Sequence, residues 1–307
     1  MSLIEFFKKN GSSGYGYGST AKDVTSNLNL LGCTYLITGC NSGLGLESLK
    51  ILTKRGASVI ACFRTLDNAR STIRSLPQPH KAIPIVFDLS EPNSIRQAIK
   101  KIMNVGYQLD GIIANAAIMA LPKLKQKFGY ELQFFTNHVG HFILVKDLLS
   151  LLKPEGRIVI LSSVSHKHSY KDGIQFDNLS GEKEYSSWSA YGQSKLCNML
   201  FAKHLATIMP MSNQTSNSVH PGMIATNLTR HLPAIRVAIF HLAGPLILKS
   251  IPQGAATQCY VVTNSKLCNI TGSYFVDSNL AIPNHYGQDS EMASELWRRT
   301  EEIVSGF

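Results

Sequence analysis

No two of the six cysteines (Cys33, Cys40, Cys62, Cys197, Cys259 and Cys268) stand in a C-x-x-C pair, and their spacings suit no zinc site. This argues against a structural metal and a dithiol centre. Cysteines set inside apolar runs act as small hydrophobes and fit a reducing compartment. Acidic residues are also scarce: 20 Asp+Glu stand against 30 Lys+Arg, for a net charge of +10. Such a balance suits nucleic acid, anionic surfaces or phosphate-bearing ligands. The basic residues are scattered, however, and no run of them forms a nucleic-acid arm, so no nucleic-acid partner is expected. Long apolar runs are missing too. The longest, "AIRVAIFHLAGPLILKSI" at 234–251, is too short to cross a bilayer and carries Arg236, His241 and Pro245. The first ten residues, "MSLIEFFKKN", have an acid at position 5 and no apolar core of about 7–15 residues, unlike a secretory signal. A cytoplasmic setting is the resulting expectation.

What is present is an ordinary globular composition, 44% hydrophobic and 16% charged over 307 residues, enough for one large core. "NGSSGYGYG" at 10–18 reads as part of a flexible lead-in, 1–18. Beyond it, short apolar runs alternate with helical periods. The runs are "CTYLIT" (33–38), "ASVIACF" (57–63), "AIPIVFDL" (82–89), "DGIIANAA" (110–117), "GRIVILSS" (156–163), "SNSVH" (216–220) and "GSYFV" (272–276). Helices are expected over 46–56, 68–76, 91–103, roughly 130–152 and roughly 185–209. Strands apolar throughout, alternating with helices, imply a parallel sheet covered on both faces: a single doubly wound α/β domain of the Rossmann type over 19–307, mostly parallel and seven-stranded.

The first run passes straight into "TGCNSGLG", with Gly39, Gly43 and Gly45 in a G-x-x-x-G-x-G pattern. Glycines there permit a tight turn and let main chain approach a pyrophosphate, while the following helix offers free N–H groups. The second run ends at Arg64 with no acid at its tip. An acid about 20 residues past the glycines binds the ribose 2′-hydroxyl of NAD, whereas an arginine accommodates the 2′-phosphate of NADP. NADP(H) is therefore expected in preference to NAD(H). "YGQSK" (191–195) puts Tyr191 and Lys195 four apart on a helix, hence on one face, where a cation favours phenolate and suits the tyrosine to acid–base work. His138 and His141 have no carboxylate or third ligand at fitting spacing and are read as structural; no metal is expected.

"TGCNSGLG", "ANAA" (114–117), "NHVGHF" (137–142), "VILSSVSH" (159–166), "YGQSK" and "HPGMIATNL" (220–228) follow one another in the order seen in short-chain dehydrogenases/reductases. The chain resembles the branch holding retinol dehydrogenases and the WW-domain-containing oxidoreductase, without WW domains, over roughly 19–290. The resemblance implies a catalytic tetrad of Ser163, Tyr191, Lys195 and Asn137. Ser163 would polarise the substrate oxygen and Tyr191 would exchange a proton with it. Lys195 would hold the nicotinamide ribose, and Asn137 would anchor a relay water. It also implies cofactor contacts from Asn41, Ser42 and Leu44 in the glycine turn, and from Asp88 and Leu89 beside the adenine. Asn115, Ala116 and Ala117 would lie along the cofactor, with Pro221, Gly222 and Thr226 around the nicotinamide amide. Ala117 replaces the family's usual glycine, and Ser163 and Tyr191 stand further apart than in the simplest members, as in the retinol dehydrogenase branch.

Residues 224–251 should form the substrate lid. Their apolar content suits a small lipophilic alcohol or carbonyl, or equally a packed helix pair at a homodimer interface, with peripheral membrane contact as a third use. The expected activity is hydride transfer between NADP(H) and such a substrate. The alternative is an NADP(H)-binding redox-sensing scaffold with little turnover.

Overall fold

The computed structural model describes residues 9–209, 213–224 and 248–307. A single eight-stranded sheet organises them. Its strands are β1 (Thr34–Thr38), β2 (Ser58–Phe63), β3 (Ala82–Val86), β4 (Leu109–Ala114), β5 (Leu152–Leu161), β6 (Thr215–His220), β7 (Tyr274–Val276) and β8 (Asn279–Ala281). They lie in the order β8-β7-β6-β5-β4-β1-β2-β3. All neighbours are parallel except β7 and β8. Each residue of β1 is buried, as a strand covered on both faces requires.

The helices are α1 (Ala21–Val24), α2 (Gly43–Lys54), α3 (Leu66–Arg74), α4 (Pro92–Val105), α5 (132–148), α6 (Ser187–Ile208), α7 (Ile251–Thr263), α8 (His285–Gln288) and α9 (Ser290–Ser305). Their ends follow local chemistry. Pro92 starts α4 and Gly106, at φ 75°, ends it in the left-handed conformation. Ser250 and Gln253 form a reciprocal capping box at α7. Asp289 accepts from the Glu291 and Met292 N–H groups, both at 2.9 Å, at α9. Apolar side chains of α4, α5, α6 and α9 form one core, and those of α1, α2, α3 and α7 form the other across the sheet. This is the doubly wound arrangement that the alternating pattern predicts.

Three features differ from expectation. The sheet has eight strands, because β8 turns back antiparallel through Asp277 and Ser278, both at positive φ (52° and 63°), a turn with no Asn-Gly signal. Helices α7 and α9 were not foreseen. Residues 11–18 are packed instead of loose: Ser13 N–H donates to Asn279 Oδ1 (3.0 Å), Asn279 Nδ2 donates to the Tyr15 carbonyl (3.0 Å), and Tyr17 is buried. The tyrosines supply the apolar area that composition alone discounted. Thr226 and most of the expected lid lie outside the described residues.

Candidate active site

Strands β1 and β4 are neighbours from which the chain winds away in opposite directions, so a crevice opens at their carboxyl ends. A cavity of about 310 Å³ occupies it. Its floor is the turn after β1. Gly39 (φ 75°) and Gly43 (φ 57°) take conformations that favour glycine. A Cβ on Gly45 would lie 2.3 Å from the Gly39 carbonyl oxygen, so this glycine sets how closely α2 approaches the turn. Ser42 caps α2 by position but makes no side-chain cap bond, leaving the first N–H groups of the helix for a ligand.

Asn41, Ser42, Gly43 and Leu44 line the cavity with Gly39, as do Arg64, Asp88, Leu89, Asn115, Ala116, Ala117 and Pro221. Gly45 lies behind its wall and Gly222 (φ 93°) beside Lys249. Arg64 is exposed just past the end of β2, and Asn68 lines the same cavity. Asp88 Oδ1 accepts from Ser90 N–H (2.8 Å) and Ser90 Oγ (2.7 Å), which fixes the loop after β3. Leu89 packs against α5 at Gly140, which has no Cβ; one built there would lie 2.2 Å from the Leu89 carbonyl oxygen.

Tyr191 and Lys195 both reach the cavity from one face of α6. Lys195 Nζ lies 5.6 Å from the centre of the Tyr191 ring and donates to the Leu161 carbonyl (3.0 Å), which also accepts from Asn198 Nδ2 (2.9 Å). Burial pulls the Lys195 ammonium down to about 7. Burial also raises the Tyr191 phenol above its ordinary value, and a hydrogen bond with the Ser163 hydroxyl acts in the opposite direction. The expected depression of Tyr191 by Lys195 is thus not the governing influence here; desolvation opposes the charged form of both groups. Ser163 itself caps the short turn Val164–His168, accepting from Ser165 N–H (3.1 Å).

Asn137 does not line the cavity. It is buried in a π-helical stretch, Phe135–Val139, within α5. Its Oδ1 accepts from Ile118 N–H (2.9 Å), and its Nδ2 donates to the Ile118 carbonyl (2.9 Å) and to Ser194 Oγ (3.0 Å). His138 and His141 are wholly buried, and burial holds them down to about 3 and about 4. Thr38 was missed as a site residue, although it opens "TGCNSGLG": its hydroxyl accepts from Asn115 N–H (2.8 Å) and Ala116 N–H (2.9 Å). Trp188 was missed too; it sits one turn before Tyr191, edge-on to its ring at 6.4 Å. Its i−3 spacing was the available signal. Among the described residues no cluster suits a metal ion, and no helix is long and apolar enough to cross a membrane.

A nucleotide-sized crevice at the switch point of a parallel sheet, floored by a glycine turn and faced by tyrosine and lysine, defines a dinucleotide-binding fold with acid–base groups in place. The family model "short chain dehydrogenase" matches residues 34–235, and the chain belongs to that family, in its retinol dehydrogenase-like branch. The Brassica napus protein "Short-chain dehydrogenase TIC 32 A, chloroplastic" is 40% identical over 97% of each chain. Mouse (Mus musculus) retinol dehydrogenase 11 is 36% identical, over 89% of this chain and 86% of its own. The crystal structure of an uncharacterized Mycobacterium paratuberculosis protein superposes with a TM-score of 0.75 at 27% identity, covering 94% of this chain and 98% of that one. The chain is accordingly an oxidoreductase of the family that interconverts alcohols and carbonyls.

Proposed function

We propose that the protein is an NADP(H)-dependent oxidoreductase that interconverts a hydroxyl and a carbonyl on a small lipophilic molecule. The observation that carries this is the convergence of Tyr191 and Lys195 on the cavity that the glycine turn floors; Ser163 does not line that cavity but lies beside the phenol, where it lowers the Tyr191 pKa against burial. The residues fit the cofactor: the turn leaves no room for a Cβ at Gly45, and the uncapped start of α2 presents N–H donors to phosphate. Arg64 would take the 2′-phosphate. Asp88 and Leu89 would flank the adenine, and Asn115, Ala116 and Ala117 would follow the cofactor. Pro221, Gly222 and Thr226 would meet the nicotinamide amide. When bound, the nicotinamide supplies or takes up the hydride.

In reduction, the Tyr191 hydroxyl donates its proton to the substrate oxygen, which Ser163 holds by a hydrogen bond. Oxidation runs the same transfer backwards. Desolvation resists a bare phenolate, so the charge must be met at once by the Lys195 ammonium, which the Leu161 carbonyl holds within reach. Lys195 would also hold the ribose. Asn137 keeps the loop after β4 in place. Both Nδ2 protons of its carboxamide are used and Oδ1 keeps one lone pair, the acceptor that a relay water would use. Trp188 (37% exposed) and Met223 (53% exposed) offer apolar surface on the substrate side.

The test is a titration with NADPH and NADH, followed by nicotinamide fluorescence. Arg64→Ala should weaken NADPH about 10- to 100-fold, the loss of a charge-assisted contact, and leave NADH unchanged. Tyr191→Phe should bind NADPH normally and lose at least about 100-fold in kcat on lipophilic carbonyls. Failure of either nucleotide to bind removes the proposal; unaltered biological activity in Tyr191→Phe would favour a scaffold.

A further inference from the structure

The hydrogen bonds around His141 have one self-consistent direction. Thr38 Oγ1 already accepts from the N–H groups of Asn115 and Ala116, so both of its lone pairs are used. Its single proton must go to His141 Nε2, at 2.9 Å. His141 Nε2 is then an acceptor, the ring proton sits on Nδ1, and Nδ1–H donates to the Asn137 carbonyl at 2.9 Å. From the same residue, Asn137 Nδ2 donates to Ser194 Oγ, and Ser194 Oγ donates to the Tyr191 carbonyl at 2.8 Å. The chain of bonds therefore runs from the main chain of the cofactor wall, through β1 and the π-helical stretch of α5, into α6 between Tyr191 and Lys195.

We propose that His141 is a positioning residue for this reaction. As the neutral Nδ1–H tautomer it ties the cofactor-facing turn of Thr38, Asn115 and Ala116 to the helix that carries Tyr191 and Lys195. It touches neither substrate nor cofactor. Its work is to keep two separately built halves of the site in one register, and no other ring of the described network can bridge a hydroxyl to a carbonyl there. Histidine suits the place because one side chain supplies an acceptor and a donor about one ring apart. Its full burial favours the neutral ring this requires. The inference rests on the NADP(H)-dependent reading of the site.

The experiment combines kinetics with the state of the ring. His141→Phe removes both bonds at similar volume, and His141→Gln keeps one acceptor and one donor. His141→Phe should lower kcat about 10- to 100-fold, the effect of a misplaced catalytic group, with the NADPH Kd changed less than about threefold. His141→Gln should recover most of that loss. In a cycle with Ser194→Ala, the double variant should lose no more kcat than the worse single one, because both act through one chain. Additive losses, or full kcat in His141→Phe, overturn the inference; if His141→Phe does not fold, the ring tautomer of the wild-type protein decides it. Nitrogen-15 NMR of histidine-labelled protein supplies the readout independent of turnover: His141 should show a protonated Nδ1 and a bare Nε2 at neutral pH, and the opposite tautomer overturns the network. Wild-type protein that binds no nucleotide would defeat the functional reading, while the tautomer would still decide the network.

Discussion

A Cβ added at Gly45 would lie 2.3 Å from the Gly39 carbonyl oxygen, which is main chain, and 2.7 Å from Asn115 Nδ2, which is held by its bond to the Thr38 carbonyl, so neither neighbour gives way easily. Overpacking of this kind costs about 1–3 kcal/mol. Gly45→Ala should therefore weaken NADPH binding by at least about tenfold, measurable by the same fluorescence titration. Trp188 makes a different prediction. Its ring stands edge-on to Tyr191 and is partly exposed, so a flat ring on the substrate can pack against it. Aromatic contacts are worth about 0.5–1.5 kcal/mol, so Trp188→Ala should raise KM for ring-bearing carbonyls roughly 2- to 10-fold and leave short aliphatic ones alone. Single residues were the most legible level of the site. Tyr191, Lys195 and Arg64 all face the cavity or its rim as spacing requires. Asn137 was legible only through resemblance, since nothing in "NHVGHF" tells that the carboxamide turns away from the crevice to hold Ile118.

Helices α5 and α9 meet through a buried histidine. His138 Nε2 lies 2.9 Å from Thr300 Oγ1, whose own proton goes to the Leu296 carbonyl (2.6 Å), so His138 donates through Nε2 and burial keeps its ring neutral. Folded His138 binds a proton only near pH 3 and His141 only near pH 4, against about 6.5 when unfolded. Below about pH 6.5 the unfolded chain thus binds more protons, and stability must fall with pH. The contribution is complete above about 6.5 and is lost on acidification towards 4, at up to about 1.4 kcal/mol per pH unit for each ring. Urea midpoints taken from pH 7 to pH 4.5 should show this decline, and His138→Leu with Thr300→Val should make it shallower. The sequence hid this junction because α9, whose polar outer face carries Glu295, Arg298 and Glu302, has no strong apolar run to announce it. It hid β8 for a related reason: three residues and a turn without glycine leave no period to count.

At the scale of the molecule, the parallel order of the strands was legible because burial on both faces forces apolar runs. The closure around its C-terminal edge was not, because it depends on contacts between distant segments. Lys249 is almost completely buried and pairs with Asp277 at 2.5 Å, in the turn between β7 and β8. Its ammonium also lies 4.9 Å from the ring centre of Tyr17, near the start of the described chain. One cation therefore joins three stretches of sequence that no local pattern connects. Breaking a buried pair by removing one partner costs about 3–5 kcal/mol. Asp277→Asn should lower stability by that order, read from the urea midpoint, and expose residues 11–18 to protease before the sheet unfolds.

The chain holds two tryptophans, and the fold separates their surroundings completely. Trp297 lies among Phe142 (4.7 Å), His204 (5.0 Å) and Phe201 (5.9 Å), in the seam between α9 and its neighbours. Trp188 lies beside the reacting phenol. Each is an optical address. Emission from Trp297 reports whether α9 is docked, and emission from Trp188 reports what stands next to Tyr191, including energy passed to a reduced nicotinamide. Replacing either one by phenylalanine leaves a protein with a single built-in fluorophore, able to watch folding and site occupancy as separate signals in one cuvette.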